Sequence, residues 1–293
     1  MNVSSQERDP WTIESLLKWA ADDFRAKGID SPRLDAEVLL GWATGKSRIE
    51  LIMEAKRELG PEELAKFRDA VKRRRTREPV AYVRGHREFF GRSFRVDKRV
   101  LVPRPDTETL VEVALDRTRH LSMCMRALDV CTGSGCVGIS LARERPTSFV
   151  VATDLSAGAI EVAKANALRL GAYNLAFFIG DLFAAVDASL RFDVITANPP
   201  YIPSAEISKL DADIRDFEPT LALDGGDDGL AIARRIVDDA PAHLEANGIL
   251  AIEIGYDEAE RARELFAKRG FSDIETKRDY GKIERVISGR WPG

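Results

Sequence analysis

From Arg126 onward the chain alternates short apolar runs with amphipathic stretches, and no other feature constrains its fold as much. The runs at 126–130, 149–153, 175–179, 192–197, 249–254, 274–276 and 285–288 have the length and composition of strands. Helical spacing fills the intervals at 136–144, 157–170, 229–245 and 257–268. Strands that alternate with helices pair side by side in parallel, with the helices on the two faces of the sheet. Such sheets bind ligands beyond the carboxyl ends of their strands, so the residues that follow each run are the ones to read for chemistry.

The first of these junctions is Asp129-Val-Cys-Thr-Gly133-Ser-Gly135-Cys-Val-Gly138. Glycines there let backbone approach a ligand closely and turn into a helix. The spacing Gly133-x-Gly135-x-x-Gly138 also fits a dinucleotide fingerprint, so the loop alone does not choose its ligand. Asp129 does: a carboxylate is repelled by a pyrophosphate and attracted by a cationic amino group and a sulfonium. Asp154 closes the second run, where a carboxylate can accept both ribose hydroxyls or, with Ser156 beside it, cap the next helix. The third run ends in Gly180-Asp181-Leu182-Phe183. Asp181 can accept from an adenine amino group while Leu182 packs on the ring; a loop Asp that caps a short helix is the alternative. Three acids at successive strand ends predict S-adenosylmethionine as cofactor.

The fourth run leads into Asn198-Pro199-Pro200-Tyr201. An amide nitrogen is a poor nucleophile because its lone pair is delocalised into the carbonyl. Hydrogen bonds from its two protons to the Asn198 side-chain oxygen and the Pro199 carbonyl favour the state in which that lone pair attacks. Pro199 and Pro200 remove competing N–H donors and fix φ, and Tyr201 offers a flat face to a planar acceptor. No general base is required. Asn198, Pro199 and Tyr201 are therefore the expected catalytic residues, and Pro200 joins them in substrate binding.

Composition excludes several alternatives. The net charge of -4 and pI near 5.6 do not suit a chain that clamps nucleic acid with a broad basic surface, so no direct nucleic-acid binding is expected. Cys124, Cys131 and Cys136 form no C-x-x-C pair, and His86, His120 and His243 are scattered, so no metal site or disulfide framework is expected. No run of 18 uncharged apolar residues exists, and residues 1–10 are polar, which predicts a cytoplasmic protein without a membrane anchor.

Residues 11–78 read as four helices opened at Thr12, Ser31-Pro32, Ser47 and Gly60-Pro61. From Val80 to Val102 shorter apolar segments broken by Gly85 and Gly91 predict a hairpin.

With these segments the chain resembles the release factor glutamine N(5)-methyltransferases of HemK/PrmC type. The resemblance spans nearly the whole length. It rests on Gly28-Ile-Asp-Ser-Pro-Arg-Leu-Asp-Ala-Glu37, Glu78-Pro-Val-Ala-Tyr82, Gly85-His-Arg-Glu-Phe89-Phe-Gly91 and Val102-Pro-Arg-Pro-Asp-Thr-Glu108. Asn198 to Tyr201, Glu218-Pro-Thr-Leu-Ala-Leu223 and Gly225-Gly-Asp-Asp-Gly229 complete it. It implies an α/β fold: a seven-stranded class I (Rossmann-like) methyltransferase sheet with an antiparallel last strand. A small all-helical N-terminal domain and a β-hairpin linker precede the sheet. The expected boundaries are 1–79, 80–103 and 104–293. Cys131, Thr132, Gly133, Ser134, Gly135, Asp154, Leu182 and Asn198 match the family's cofactor-binding positions. The implied acceptor is the glutamine of a Gly-Gly-Gln tripeptide in peptide chain release factors, which the helices and hairpin help to bind; a monomer is expected. Cys131 stands where the family has Gly, and Asp106 where it has Glu. Cys131 resembles the enzymes that methylate a ribosomal protein glutamine, so that acceptor is the alternative. A nucleic-acid base and a nicotinamide-dependent oxidoreductase are the remaining readings.

Five features stay open at this level. The run Lys72–Arg77 is either a docking patch for an acidic partner or a solvated helix end. Phe89 and Phe90 are hairpin core or a cofactor wall, and Arg104 orients Asp129 or substrate or forms a structural ion pair. Cys131 is a redox thiol or a small buried hydrophobe. Glu253, an acid at the end of an apolar strand, is either a site-edge residue or part of a structural ion pair.

Overall fold

The computed structural model describes residues 11–121 and 124–293; the expectation drawn from the polar stretch 1–10 lies outside them. The chain divides into two compact units, Met1–Gly85 and His86–Gly293.

The first unit is helical. Helix α1 (Ile13–Ala26) starts where the Thr12 hydroxyl accepts from the Ser15 amide, and α2 (Pro32–Thr44) has Pro32 in its first turn and Gly45 in the left-handed region after it. Ser47 and Glu50 form a reciprocal capping box at α3 (Arg48–Met53). Helix α4 (Pro61–Arg75) and the short α5 (Val80–Arg84) follow. Phe24, Leu39, Leu40, Leu51 and Phe67 are fully buried together, each stabilising by roughly 2 to 3 kcal/mol. The basic run is largely taken up by ion pairs, with Lys72 exposed. Arg73 pairs with Glu78, Arg75 with Asp23, and Arg74 is buried against Asp35 at 2.7 Å.

The hairpin is shorter than expected. Residues 80–84 are helical because Pro79 precedes the turn, Gly85 ends it at φ 77°, and Ala81, Tyr82 and Val83 are buried as a helix face. Strands β1 (His86–Phe89) and β2 (Arg92–Arg95) pair antiparallel around Phe90 and Gly91, both at positive φ, which the right-handed strand twist favours in a two-residue turn. Phe89 packs edge-on against Phe94, 5.9 Å between ring centres, so both are hairpin core.

The second unit continues through a 3-10 turn, Pro105–Thr107, into α6 (Glu108–Arg117). Then come β3 (Arg126–Val130), α7 (Cys136–Glu144), β4 (Phe149–Asp154), α8 (Ala157–Leu170), β5 (Leu175–Ile179) and β6 (Phe192–Ala197). The remainder is α9 (Ala212–Arg215), α10 (Ala231–Asp239), β7 (Leu244–Glu253), α11 (Ala259–Arg269), β8 (Ser272–Arg278) and β9 (Glu284–Arg290). The sheet order is β5-β4-β3-β6-β7-β9-β8. The first five are mutually parallel, and β9 runs antiparallel to β7 and β8. The expected helix 229–245 is overturned in part. Pro241, which lacks an amide donor, sits in a 3-10 turn at Ala240–His243, and β7 begins directly after it. Among the described residues no helix is long and apolar enough to cross a membrane.

The strand order reverses between β3 and β6, so the connections leaving those two strands diverge and open a crevice at their carboxyl ends. Aliphatic clusters cover both faces of the sheet below it and fix the strand ends rigidly.

Candidate active site

A cavity of about 220 Å³ occupies this crevice. Its wall includes Asp129, Cys131, Thr132, Gly133, Ser134, Asp154, Asp181, Leu182, Asn198 and Pro200, which the ends of four strands bring to one place. Gly135, Pro199 and Tyr201 are not in the wall. Gly135, at φ 82°, turns the chain into α7.

Asp129, 1 % exposed, is consumed by its own loop. It accepts from the Thr132 hydroxyl at 2.6 Å, the Thr196 hydroxyl at 2.9 Å and the Gly138 amide at 3.0 Å. A Cβ at Gly138 would lie 3.1 Å from the same carboxylate oxygen, so glycine is what lets the helix start come so close. Burial pushes the Asp129 carboxyl up to about 6 against these three hydrogen bonds. The residue read as a partner for a cationic ligand thus also shapes the loop.

Asp154 differs. One oxygen accepts from the Gly133 amide and the other from the Ser156 amide, each at 2.8 Å, so each keeps a lone pair. Ser156, not Asp154, caps α8 by accepting from the Ala159 amide. Burial raises the Asp154 carboxyl above its usual range. Asp181 forms an ion pair with Arg235 at 2.8 Å, with both side chains about half exposed. Leu182 is buried at φ 52°, and its carbonyl accepts from Thr153. Cys131 is at φ 59°. Burial and the neighbouring Asp154 and Asp129 push its thiol far up, which removes the thiolate a redox role needs.

On the other side, the Asn198 Nδ2 donates to the Thr107 hydroxyl at 3.2 Å, which leaves Oδ1 as the acceptor of that amide. Thr107 is 1 % exposed. The loop is clamped from behind: the Ile202 amide donates to the Leu223 carbonyl, and the Gly225 amide to the Ile202 carbonyl. A Cβ at Gly225 would sit 2.8 Å from the Tyr201 Cα, and one at Gly229 would sit 2.6 Å from the Tyr201 carbonyl oxygen. Gly225 and Gly229 therefore admit this loop. Glu218, buried, accepts from the Val102 amide at 3.1 Å and pairs with Arg104 at 2.7 Å. Arg104 lines the cavity and does not orient Asp129.

Glu253, 1 % exposed at the end of β7, faces the Thr107 and Tyr201 hydroxyls, and its Oε2 has no hydrogen-bond partner. Burial pushes its carboxyl up to about 7, opposed by those two hydroxyls and by Arg285 acting through space. Arg285 itself pairs with Asp279 at 3.1 Å and Asp106 at 3.6 Å. Thr107, Glu218, Gly225 and Gly229 were not assigned roles from sequence. Their only signal was membership of the family-like segments.

A sheet of this order, with its cavity at the reversal and acids at the strand ends, defines a class I, Rossmann-like methyltransferase. Residues 15–85 match the PrmC N-terminal domain, and residues 107–212 match the methyltransferase small domain. A release factor glutamine methyltransferase from Geobacter sulfurreducens is 42% identical over 286 residues, covering 98% of this chain and 99% of the relative. Its counterpart from Burkholderia pseudomallei is 42% identical over 280 residues, covering 94% and 96%. The fold is shared with the T. thermophilus 16S rRNA methyltransferase RsmC, solved in complex with AdoMet and guanosine. That match has 18% identity and a TM-score of 0.50 over 70% of this chain and 49% of that one. The chain belongs to the release factor glutamine methyltransferase family.

Proposed function

We propose that this chain transfers a methyl group from S-adenosylmethionine to the side-chain amide nitrogen of the glutamine in the Gly-Gly-Gln motif of peptide chain release factors. The observation that carries this reading is the Asn198 amide, which lines the cavity with Nδ2 engaged by Thr107 and Oδ1 left as acceptor.

The wall fits the cofactor. Asp154 keeps lone pairs for the two ribose hydroxyls, Leu182 supplies an apolar surface for a flat base, and the loop 131–135 brings backbone to the crevice. Asp181 serves the adenine amino group only by sharing its carboxylate with Arg235. When bound, S-adenosylmethionine supplies an electrophilic methyl group on a sulfonium. Asn198 Oδ1 and the Pro199 carbonyl hold the two N–H groups of the acceptor amide. Positive charge that develops on that nitrogen is met by fixed oxygen dipoles, so the acceptor sheds its proton without a dedicated base. Pro199 and Pro200 keep the loop stiff, and Tyr201 offers a flat face to the planar acceptor. The helical unit and hairpin are assigned to partner recognition. The same reading has the reaction occur in the cytoplasm, with one copy of the chain sufficing.

The test is methyl transfer from labelled S-adenosylmethionine with a release factor, a ribosomal protein and DNA offered in parallel. Label on the release factor glutamine is expected. Label on either other acceptor, or NAD binding in the crevice, would replace the reading.

A further inference from the structure

S-adenosylmethionine carries a carboxylate besides its two cationic groups, and burying that anion without donors is costly. The sheet order says where it lies. Base and ribose are assigned to the ends of β5 and β4, and the methyl faces Asn198 after β6, so the amino-acid tail lies on the Asn198 side. The loop offers it few amides. Thr132 N–H donates to the Thr153 carbonyl, Gly133 N–H to Asp154 and Gly135 N–H to the Thr132 carbonyl. The amides around the start of α7 and the wall's side chains are left. The cations of the wall are Arg99, Arg104 and Arg235. Arg99 is spent: its Nε and Nη2 donate to Asp97 and its Nη1 to Glu161, at 2.9, 2.7 and 2.9 Å. Arg235 is paired with Asp181 at the base end. Arg104 differs from both. Its Nη2 donates to Glu218 at 2.7 Å, while its Nε and Nη1 meet no acceptor among the described residues. Glu218 is buried and held by the Val102 amide at 3.1 Å, so one edge of the guanidinium is pinned.

We propose that Arg104 binds the carboxylate of the cofactor's amino-acid tail, with Glu218 as the positioning residue that holds its guanidinium at the cavity wall. This rests on the placement of base and ribose at Asp181, Leu182 and Asp154. Arg104 stands three residues before Thr107, which the Asn198 amide contacts, and so lies on the side where the tail ends. A guanidinium presents several N–H groups in one plane, so it holds Glu218 through one and keeps others for a second carboxylate.

The experiment measures Kd by calorimetry on the full-length chain for two ligands, S-adenosylmethionine and decarboxylated S-adenosylmethionine, which differ in the carboxylate alone. The parent is expected to favour the first by roughly 10- to 100-fold, the scale of a charge-assisted hydrogen bond. Arg104→Met is expected to bring the two affinities within about 3-fold by weakening S-adenosylmethionine. That variant leaves buried Glu218 without its cation, so Arg104→Met with Glu218→Gln is measured too; it removes the stranded charge and keeps an oxygen for the Val102 amide. Arg104→Lys keeps the charge without the planar fork and is expected to recover part of the preference. Arg99→Met removes an equal charge from the same wall and is expected to keep the parent's preference. Three results would overturn the assignment: no preference in the parent, a preference that survives in both methionine variants, or one lost equally with Arg99→Met. Survival would place the carboxylate on the amides at the start of α7, and equal loss would mean that only the net charge of the wall matters. Asp154→Ala tests the placement beneath the proposal, since both ligands carry the ribose. If it weakens neither, that placement has failed; if it weakens both while Arg104 discriminates nothing, only the role of Arg104 has.

Discussion

The loop after β3 and the loop after β6 each lean on a buried acid, and the two acids are treated in opposite ways. Asp129 and Glu253 are both 1 % exposed, and burial raises both carboxyls, to about 6 and about 7. Asp129 takes three donors, from its own loop, from α7 and from the adjoining strand β6. Glu253 faces two hydroxyls, and its Oε2 has no hydrogen-bond partner. The first arrangement is that of a part whose shape matters most, a closed network that fixes a turn. The second leaves a buried acid short of partners, which costs stability. The cofactor loop is a closed network, and the acid nearest the acceptor loop is left incompletely partnered.

The sharpest way to break this comparison is to separate binding from turnover. Asn198→Ala is expected to lower kcat by roughly 100- to 1,000-fold, the scale set by removal of one preorganised hydrogen-bonding group at a reacting atom. Cofactor Kd, measured by calorimetry, is expected to stay within about 3-fold of the parent. A parallel collapse of affinity would show that the two loops are one functional body.

Asp129→Ala attacks the other side. It strands the Gly138 amide and two hydroxyls in the core, and buried donors left unpaired make a loss of about 3 kcal/mol the expected result of urea unfolding. Cofactor affinity should fall with it, since Thr132 and the start of α7 lose their anchor. A stable variant that merely binds poorly would assign Asp129 to the ligand rather than to the loop.

The pH dependence of stability sharpens the contrast. The folded-state pKa of Glu253, about 7, lies above its ordinary 4.5, so the folded chain holds the proton more tightly than the unfolded one. Its contribution is therefore fully present below about 4.5 and is lost as pH rises toward 7. Glu253→Gln removes that loss, and the variant should gain on the parent by up to about 3 kcal/mol across the window. Asp129 contributes a slope of the same sign from 3.8 to about 6, but it is present in both chains and cancels. A difference between parent and variant that does not change with pH would mean Glu253 is better solvated or better paired than its geometry indicates.

What sequence could and could not supply follows the range of the interactions involved. Helices α7 and α8 were legible to the residue because their signals are local: a glycine or serine before the first turn and an apolar period after it. The three acids and the Asn-Pro-Pro-Tyr loop were legible because strand ends in a parallel sheet share an edge. The start of β7 was missed because Pro241 stops α10 early, and β7 begins in a register set by a bulge near Phe192, a partner far away in sequence. The tie between Asn198 and Thr107 spans 91 residues, and that between Arg104 and Glu218 spans 114. No local pattern encodes such pairs. Gly225 and Gly229 carried no assigned role until the backbone they admit came into view.

Cys131 offers the smallest expected effect and a test of how much strain the cofactor loop tolerates. Its φ of 59° is a conformation glycine adopts freely. A left-handed conformation costs a side-chain-bearing residue about 1 to 2 kcal/mol, and Cys131→Gly removes that strain. Against this stand the added freedom of the unfolded chain, roughly 0.5 to 1 kcal/mol. The partly buried thiol contact with the core beside β3 is also lost. These terms nearly cancel, so the change in unfolding free energy is expected to stay within about 1 kcal/mol of zero, with cofactor Kd unchanged within about 3-fold. Cys131→Val adds a β-branched side chain at the same φ and should be clearly worse on both measures. If glycine instead stabilises the chain well beyond that margin, the loop after β3 stores strain, and the rigidity assigned to the cofactor side is held at a cost comparable to that at Glu253.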